Sequence, residues 1–207
     1  MNIQKAYDTW SSAYDSDENR TRDLDQSVTQ KTLANSCYKS ILEIGCGTGK
    51  NTHFLSQIGE NVHAIDFSEG MISLAEEKLK SSNVTFSLAD LTRPWHCDNA
   101  SMDLVVCNLV LEHIENLAFI FSEAFRVLTD DGHFFLCELH PFRQYQGTQA
   151  NFQTAHGTME IQAFVHHISD FLDAAKSSEF RLEEFKEWWH ETDQNKPPRL
   201  VSFMFKK

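Results

Sequence analysis

The chain is expected to be an α/β protein, with a parallel sheet covered on both faces by helices. Three observations predict this. From Ser40 to about Leu139, short apolar runs alternate with longer amphipathic ones, the rhythm of strands joined by helices. The apolar runs are nearly continuous in hydrophobicity, as in strands buried on both faces. The 207 residues are 41% hydrophobic with 16 Phe and 4 Trp, enough to build a core without disulfides or metals. Composition does not change abruptly anywhere, so one domain over residues 1–207 is expected.

In chain order, Tyr7, Trp10 and Tyr14 stand three and four apart within residues 1–36, so a helix there presents all three on one docking face. Strands are expected at Ile41–Ile44, Val62–Ile65, Val84–Leu88, Leu104–Cys107 and His133–Leu139. Ser68 can cap a helix carrying Met71, Ile72, Leu74, Ala75 and Leu79 at helical spacing. A second helix spans about Asn116 to Leu128, and Asp130-Asp131-Gly132 forms the turn after it. His140 to Gly157 is polar, aromatic and turn-prone. A short strand at Met159–Phe164, a helix over His166–Lys176 and two late strands, Phe180–Glu187 and Leu200–Phe205, follow. Lys196-Pro197-Pro198 is a stiff connector between the last two.

A formal charge of -12 and a pI near 5.2 set a negative field over the surface that disfavours nucleic acid and anionic membranes as partners. The 18 Lys and Arg never form a run longer than Lys206-Lys207. Five cysteines, Cys37, Cys46, Cys97, Cys107 and Cys137, form no C-x-x-C pair and cannot all pair within one chain, which suits a reducing compartment. The stretch from Met1 to Asp8 lacks a signal-peptide core, and no segment reaches membrane-spanning length. A cytoplasmic protein, monomer or homodimer, is expected.

The stretch Glu43-Ile44-Gly45-Cys46-Gly47-Thr48-Gly49 ends a strand, and its three glycines let backbone pass close to a ligand. The third glycine falls four residues after the first, whereas the dinucleotide fingerprint places it five after, and a P-loop's Lys-Ser/Thr pair is absent. Neither NAD nor ATP fits well. Asp66 follows Gly45 by 21 residues at the end of the second strand, where a carboxylate accepts bonds from both ribose hydroxyls.

With these residues in place, the chain resembles the class I S-adenosylmethionine-dependent methyltransferases, in particular the small ones of the type-11 kind that act on metabolites. Glu43 to Gly49 is similar to their E-x-G-x-G-x-G first motif, and Ala64-Ile65-Asp66-Phe67-Ser68 with Met71 to their ribose-binding second strand. Ala89-Asp90-Leu91 resembles the adenine-binding segment, Asp103 to Asn108 with Leu111-Glu112-His113-Ile114 the fourth-strand motif, and Phe125 to Gly132 the approach to strand five. The resemblance implies a doubly wound, Rossmann-like sheet of seven strands, mostly parallel, with the last strand antiparallel. Periodicity alone left the direction of that strand open.

The resemblance also implies S-adenosyl-L-methionine as cofactor and S-adenosyl-L-homocysteine as product. Glu43, Gly45, Cys46, Gly47, Thr48 and Gly49 would surround the methionine part, Asp66 the ribose, and Phe67, Met71, Ala89, Asp90 and Leu91 the adenine, with Asn108 beneath the cofactor. Residues 1–36 resemble the family's N-terminal lid, making Tyr7 and Tyr14 candidate substrate contacts, and residues 141–165 form a substrate-side insert.

A methyl on a sulfonium is already activated, so catalysis needs alignment and dryness, with a base only where the acceptor carries a proton. His140, at the carboxyl edge of the fifth strand, is the first candidate base and His113 the second; Arg143 and Tyr145 are candidate substrate contacts. Trp188, Trp189 and His190 are candidates for an aromatic wall over the substrate. His166-His167 is not expected to bind metal, because adjacent helical residues diverge by about 100 degrees. The expected function is methyl transfer to a small-molecule acceptor. Alternatives are a carrier-, lipid- or protein-bound substrate, or a non-catalytic S-adenosylmethionine-binding module.

Overall fold

A computed structural model describes residues 3–154 and 157–207. Met1 and Asn2 of the expected lid, and Ala155 and His156 of the expected insert, lie outside the described residues. Two helices, α1 (Ile3–Tyr14) and α2 (Arg20–Leu33), precede β1 (Tyr38–Ile44), α3 (Thr52–Ile58), β2 (Gly59–Asp66), α4 (Glu69–Lys78) and β3 (Val84–Leu88). Then come β4 (Met102–Asn108), α5 (Leu117–Val127), β5 (Leu128–Leu139), a short α6 (Pro141–Tyr145), β6 (Asn151–Thr154) and β7 (Gly157–Glu160). The chain closes with α7 (Ile168–Ser177), β8 (Arg181–Trp188) and β9 (Leu200–Lys206).

Seven strands form one sheet in the order β3-β2-β1-β4-β5-β9-β8. The first five are parallel, and β9 runs antiparallel to both β5 and β8, so it alone opposes the rest. This is the doubly wound, Rossmann-like sheet with a reversed last strand. Strand β1 shows why its sequence reads as continuously apolar. Ile41 packs with Val28, Leu33 and Leu55 on the α2 and α3 face, while Leu42 and Ile44 pack with the α5 and α7 face. The helix caps follow from local chemistry. Ser68 Oγ accepts from Met71 N–H at 3.2 Å and Asn116 Oδ1 from Phe119 N–H at 3.3 Å, contacts of about 1 kcal/mol each.

Strand order reverses between β1 and β4, where β2 leads one way and β5 the other. Crevices outside the carboxyl ends of strands at such a switch are where ligands bind in open α/β sheets. Gly45 to Gly49 and Asn108-Leu109 emerge there.

The structure departs from expectation in two places. The Asp130-Asp131-Gly132 turn lies inside a continuous β5, as a break in register against β4 with Asp131 at φ 67°. The expected strand at Met159–Phe164 is instead β7, ending at Glu160 and paired in a separate hairpin with β6, a strand within a stretch that reads as turn-prone. Among the described residues, no helix is long and apolar enough to cross a membrane, and no cluster of three or more His, Cys, Asp or Glu is set to hold a metal ion.

Candidate active site

A cavity of about 450 Å³ opens at the β1/β4 switch, and its lining includes Gly45, Gly47, Asp66, Phe67, Met71, Ala89, Asp90, Leu91 and Asn108. The loop after β1 is shaped by hydrogen bonds that consume its own amides. Gly45 and Cys46 N–H both donate to Ile65 O, at 2.8 and 3.0 Å, and Gly47 N–H donates to Asp66 Oδ2 at 2.9 Å. Spent this way, those amides cannot cradle a phosphate as a P-loop's do. What the glycines provide is close approach. Gly45 sits at φ 74°, and a Cβ there would lie 2.2 Å from Val110 Cγ2, whereas a Cβ on Gly47, at φ 54°, would meet nothing within 4 Å and would project into open space.

Carboxyl groups dominate the polar surroundings. Asp66 is buried, with Oδ1 accepting from Ser68 N–H at 2.9 Å. Burial raises its pKa, and the amides of Ser68, Gly47 and Phe67 pull the other way. Asp90 accepts from both the backbone and the hydroxyl of Thr92, at 2.9 and 2.7 Å. Asn108 donates to Asp25 Oδ1 at 2.6 Å and Thr29 Oγ1 at 2.9 Å, which leaves its buried Oδ1 with no partner. Behind the loop, burial drives Glu43 up to about 8, though Thr52 Oγ1 donates to it at 2.5 Å. Such a cavity welcomes a cationic ligand with amine and hydroxyl donors and repels a polyphosphate.

Of the other loop residues, Glu43, Cys46 and Thr48 are buried and stand behind the cavity wall. Thr48 Oγ1 donates to Asp15 Oδ1 at 2.7 Å, and Gly49, at φ 80°, packs against Ala75.

The aromatic face of α1 closes over this crevice. Gln4 Nε2 donates to Phe67 O at 2.7 Å and Ser68 Oγ to Asp8 Oδ1 at 2.5 Å, pinning α1 to the cavity rim. Tyr7 stacks edge-on against Phe67 and His113, with centroids at 5.8 and 5.4 Å. His113 Nδ1–H donates to Gln162 O at 3.0 Å, so Nε2 is the acceptor for the Tyr7 hydroxyl at 2.7 Å. Burial holds His113 below the ordinary imidazole range, favouring the neutral ring this pattern requires.

A second cavity of about 390 Å³ adjoins the first, and Tyr7, Tyr14 and Leu109 line both. Trp10, Arg22, Glu112, Leu139 and residues 148–151 complete much of its wall. Leu109 holds φ 56° at the partition, a left-handed conformation that costs a non-glycine residue about 1–3 kcal/mol and that concentrates at functional sites. Arg22, Glu112 and Leu109 carry no motif in the sequence that marks them for this role.

His140, Arg143 and Tyr145 stand outside both linings. His140 is 2% exposed and caps α6. Its Nδ1 accepts from Phe142 N–H at 3.1 Å and its Nε2–H donates to Glu187 Oε1 at 3.0 Å, so the fold occupies both nitrogens. Arg143 pairs with Asp193 at 3.1 Å and donates to the carbonyls of Pro197 and Pro198, at 2.9 and 3.3 Å. Arg199 and Arg143 together hold the Asp193 carboxyl down at about 2. Tyr145 is exposed and bonds His167. Trp188 donates to Ser202 Oγ at 2.8 Å and Trp189 to Lys196 O at 2.9 Å, and neither lines either of these two cavities. His166 reaches the carbonyls of Leu111 and Ile114, at 3.1 and 2.8 Å, fastening the turn that carries His113.

Residues 42–136 match the methyltransferase domain family. A malonyl-[acyl-carrier protein] O-methyltransferase of Bacillus cereus is 29% identical over 74% of this chain and 58% of its own length. A demethylmenaquinone methyltransferase of Leptospira interrogans is 34% identical over 45% of this chain and 40% of its own. The chain thus spans less than two thirds of the length of these curated relatives. Two solved structures share the fold. The N-methyltransferase NodS of Bradyrhizobium japonicum, in complex with S-adenosyl-L-homocysteine, superposes with a TM-score of 0.76 at 15% identity, covering 100% of this chain and 99% of that one. An S-adenosylmethionine-dependent methyltransferase from Listeria monocytogenes superposes with a TM-score of 0.77 at 18% identity, covering 88% of this chain and 97% of that one. Together with the loop, the acid after β2 and the sheet order, these matches show a methyltransferase domain over residues 42–136 and, for the chain, the fold of the S-adenosylmethionine-dependent methyltransferases.

Proposed function

We propose that the protein transfers a methyl group from S-adenosylmethionine to a small-molecule acceptor. The observation that carries this reading is the acidic cavity whose glycine loop offers close approach and no free phosphate cradle. The open space beside Gly47 and the unpartnered Oδ1 of Asn108 fit the methionyl part, with Asn108 accepting from its ammonium. Asp66 would hold the ribose hydroxyls, Asp90 the adenine amine, and Phe67, Met71, Ala89 and Leu91 the ring faces. Glu43, Cys46, Thr48 and Gly49 would shape the loop from behind.

When bound, the cofactor supplies an electrophilic methyl on a positively charged sulfur. The chain's work is to orient the acceptor and exclude water, which α1 does by covering the crevice with Tyr7 and Tyr14. For an acceptor that carries a proton, the Tyr7–His113 pair offers a relay. The Tyr7 oxygen takes the acceptor's proton as its own passes to His113 Nε2, which is neutral and already aligned. His113 is the better placed of the two candidate bases, since it lines the first cavity and its Nε2 partner is the cavity residue Tyr7, whereas His140 lies outside both linings with its nitrogens tied to Phe142 N–H and Glu187.

A carrier-borne or lipid-like acceptor is the second reading, favoured by the names of the relatives that act on malonyl-acyl carrier protein and demethylmenaquinone. Calorimetry with S-adenosylmethionine and S-adenosylhomocysteine tests the donor site, and no binding to well-folded protein sinks it. Methyl-labelled cofactor offered with a metabolite panel then tests transfer; binding without transfer to any acceptor points to a non-catalytic module.

A further inference from the structure

The second cavity contains a cation with no counter-ion. Arg22 is 8% exposed, and no carboxylate among the described residues lies within ion-pair distance of it. Its Nη atoms donate instead to two neutral backbone carbonyls, Tyr14 O and Asp17 O, and its Nε–H has no partner. The guanidinium sits over the Tyr14 ring at 4.0 Å and the Trp10 ring at 5.5 Å, which fixes its plane against the aromatic wall. The nearby acids are spent elsewhere. The Asp17 carboxylate accepts from Trp10 Nε1 at 2.8 Å, and Asp15 is taken by Lys78 and Thr48. A desolvated charge without a partner is costly, and a ligand that completes it recovers that cost on binding.

We propose that this second chamber holds the methyl acceptor and that Arg22 selects an acceptor bearing a carboxylate or a comparable anionic oxygen. The assignment rests on the reading of the first cavity as the donor site, because Tyr7, Tyr14 and Leu109 form the partition between the two. A volume of about 390 Å³ suits a molecule of metabolite size, and the rings of Tyr7, Trp10 and Tyr14 suit an aromatic or otherwise planar body. Three carboxyl residues share the lining: Asp17, engaged by Trp10 Nε1, Glu18, which is exposed and 4.0 Å from Arg20 Nε, and Glu112. Its Oε2 is buried without a partner, and burial lifts its carboxyl to about 7, so near neutrality much of it carries a proton that can be donated to the incoming oxygen. Two residues of the lining, Arg22 and Glu112, thus each carry a polar atom without a partner.

The test uses two probes of equal shape, 4-hydroxyphenylacetate and 4-hydroxyphenylacetamide, titrated calorimetrically at pH 7 with and without saturating S-adenosylhomocysteine. The acid is expected to bind at least tenfold tighter than the amide. Arg22→Met, which keeps the apolar stem, should abolish the difference, and Arg22→Lys, which keeps the charge, should retain part of it. If Arg22→Met fails to fold, the Lys variant carries the comparison, with a partly retained preference as the supporting result and an unchanged or wholly lost one as the overturning result. An amide bound as tightly as the acid overturns the proposal, as do a preference that survives Arg22→Met and an acid that does not bind. A preference for the acid in protein that binds no S-adenosylhomocysteine leaves the anion site standing and removes the donor reading. Bound S-adenosylhomocysteine with no acid preference does the reverse.

Discussion

His113 and His140 both follow a central parallel strand at the ligand-binding edge of the sheet, yet the structure gives them opposite situations. His140 is a knot in the fold, with one nitrogen tied to the start of α6 and the other to Glu187 on β8. His113 has one nitrogen tied to Gln162 O and the other turned toward the lid, where the Tyr7 hydroxyl borders both cavities. A histidine at the right edge is therefore available for chemistry only where a nitrogen's partner itself lines a cavity, as Tyr7 does for His113, and β8 denies that to His140 by supplying Glu187.

Paired substitutions should break this comparison most visibly. His113→Ala is expected to lower kcat by about 100-fold or more on an acceptor that carries a proton, the scale of a lost general base. His140→Ala should leave kcat nearly unchanged while removing about 1–3 kcal/mol of stability, the sum of two partly buried hydrogen bonds. Kinetics and denaturant unfolding on the two variants check both outcomes, and the opposite pattern would restore His140 as the base.

The two glycines of the loop sharpen the same distinction between fold and site. Gly45→Ala places a Cβ 2.2 Å from Val110 at a left-handed φ and should cost about 2–4 kcal/mol in unfolding free energy from strain and overpacking. Gly47→Ala meets only open space at φ 54°, so it should cost about 1 kcal/mol and act chiefly on cofactor affinity. On the ligand side, Asp66→Ala should weaken S-adenosylmethionine at least tenfold, about 1.4 kcal/mol, by calorimetry. Unchanged affinity would remove Asp66 from the ribose.

What was legible in the sequence was local. The spacing of Gly45, Gly47 and Gly49 and the i, i+3, i+7 recurrence of Tyr7, Trp10 and Tyr14 each lie within one strand–turn or one helix, and the acid 21 residues on closes the next strand of the same β1–α3–β2 unit. What was not legible depends on partners far along the chain. Glu187 lies 47 residues from His140 and captures it, and Asp193 does the same to Arg143. Arg22 and Glu112 line one cavity that forms where α1, α2, the segment after β4 and residues 148–151 come together. The left-handed Leu109 carries none of the residue preferences that announce positive φ. Hence much of the lining of the first cavity could be read in outline while that of the second could not.

The smallest predicted effect concerns two buried carboxyls, Glu43 behind the loop and Glu112 in the lining of the second cavity. Burial raises Glu43 to about 8 and Glu112 to about 7, from ordinary values near 4.5. The folded protein therefore binds more protons than the unfolded chain between about pH 4.5 and pH 8, so these groups contribute stability that is present below pH 4.5 and is lost as pH rises through 7 and then 8. Tm followed at constant ionic strength should decline across the upper part of that window. Glu43→Gln keeps an acceptor for Thr52 Oγ1 and removes the titration, so its Tm should fall less between pH 7 and pH 8 than that of the unaltered protein. An unaltered protein whose Tm holds or climbs from pH 5 to pH 8 would mean that these carboxyls ionise freely in the fold, and that the cavity presents full negative charge to its ligands at neutral pH.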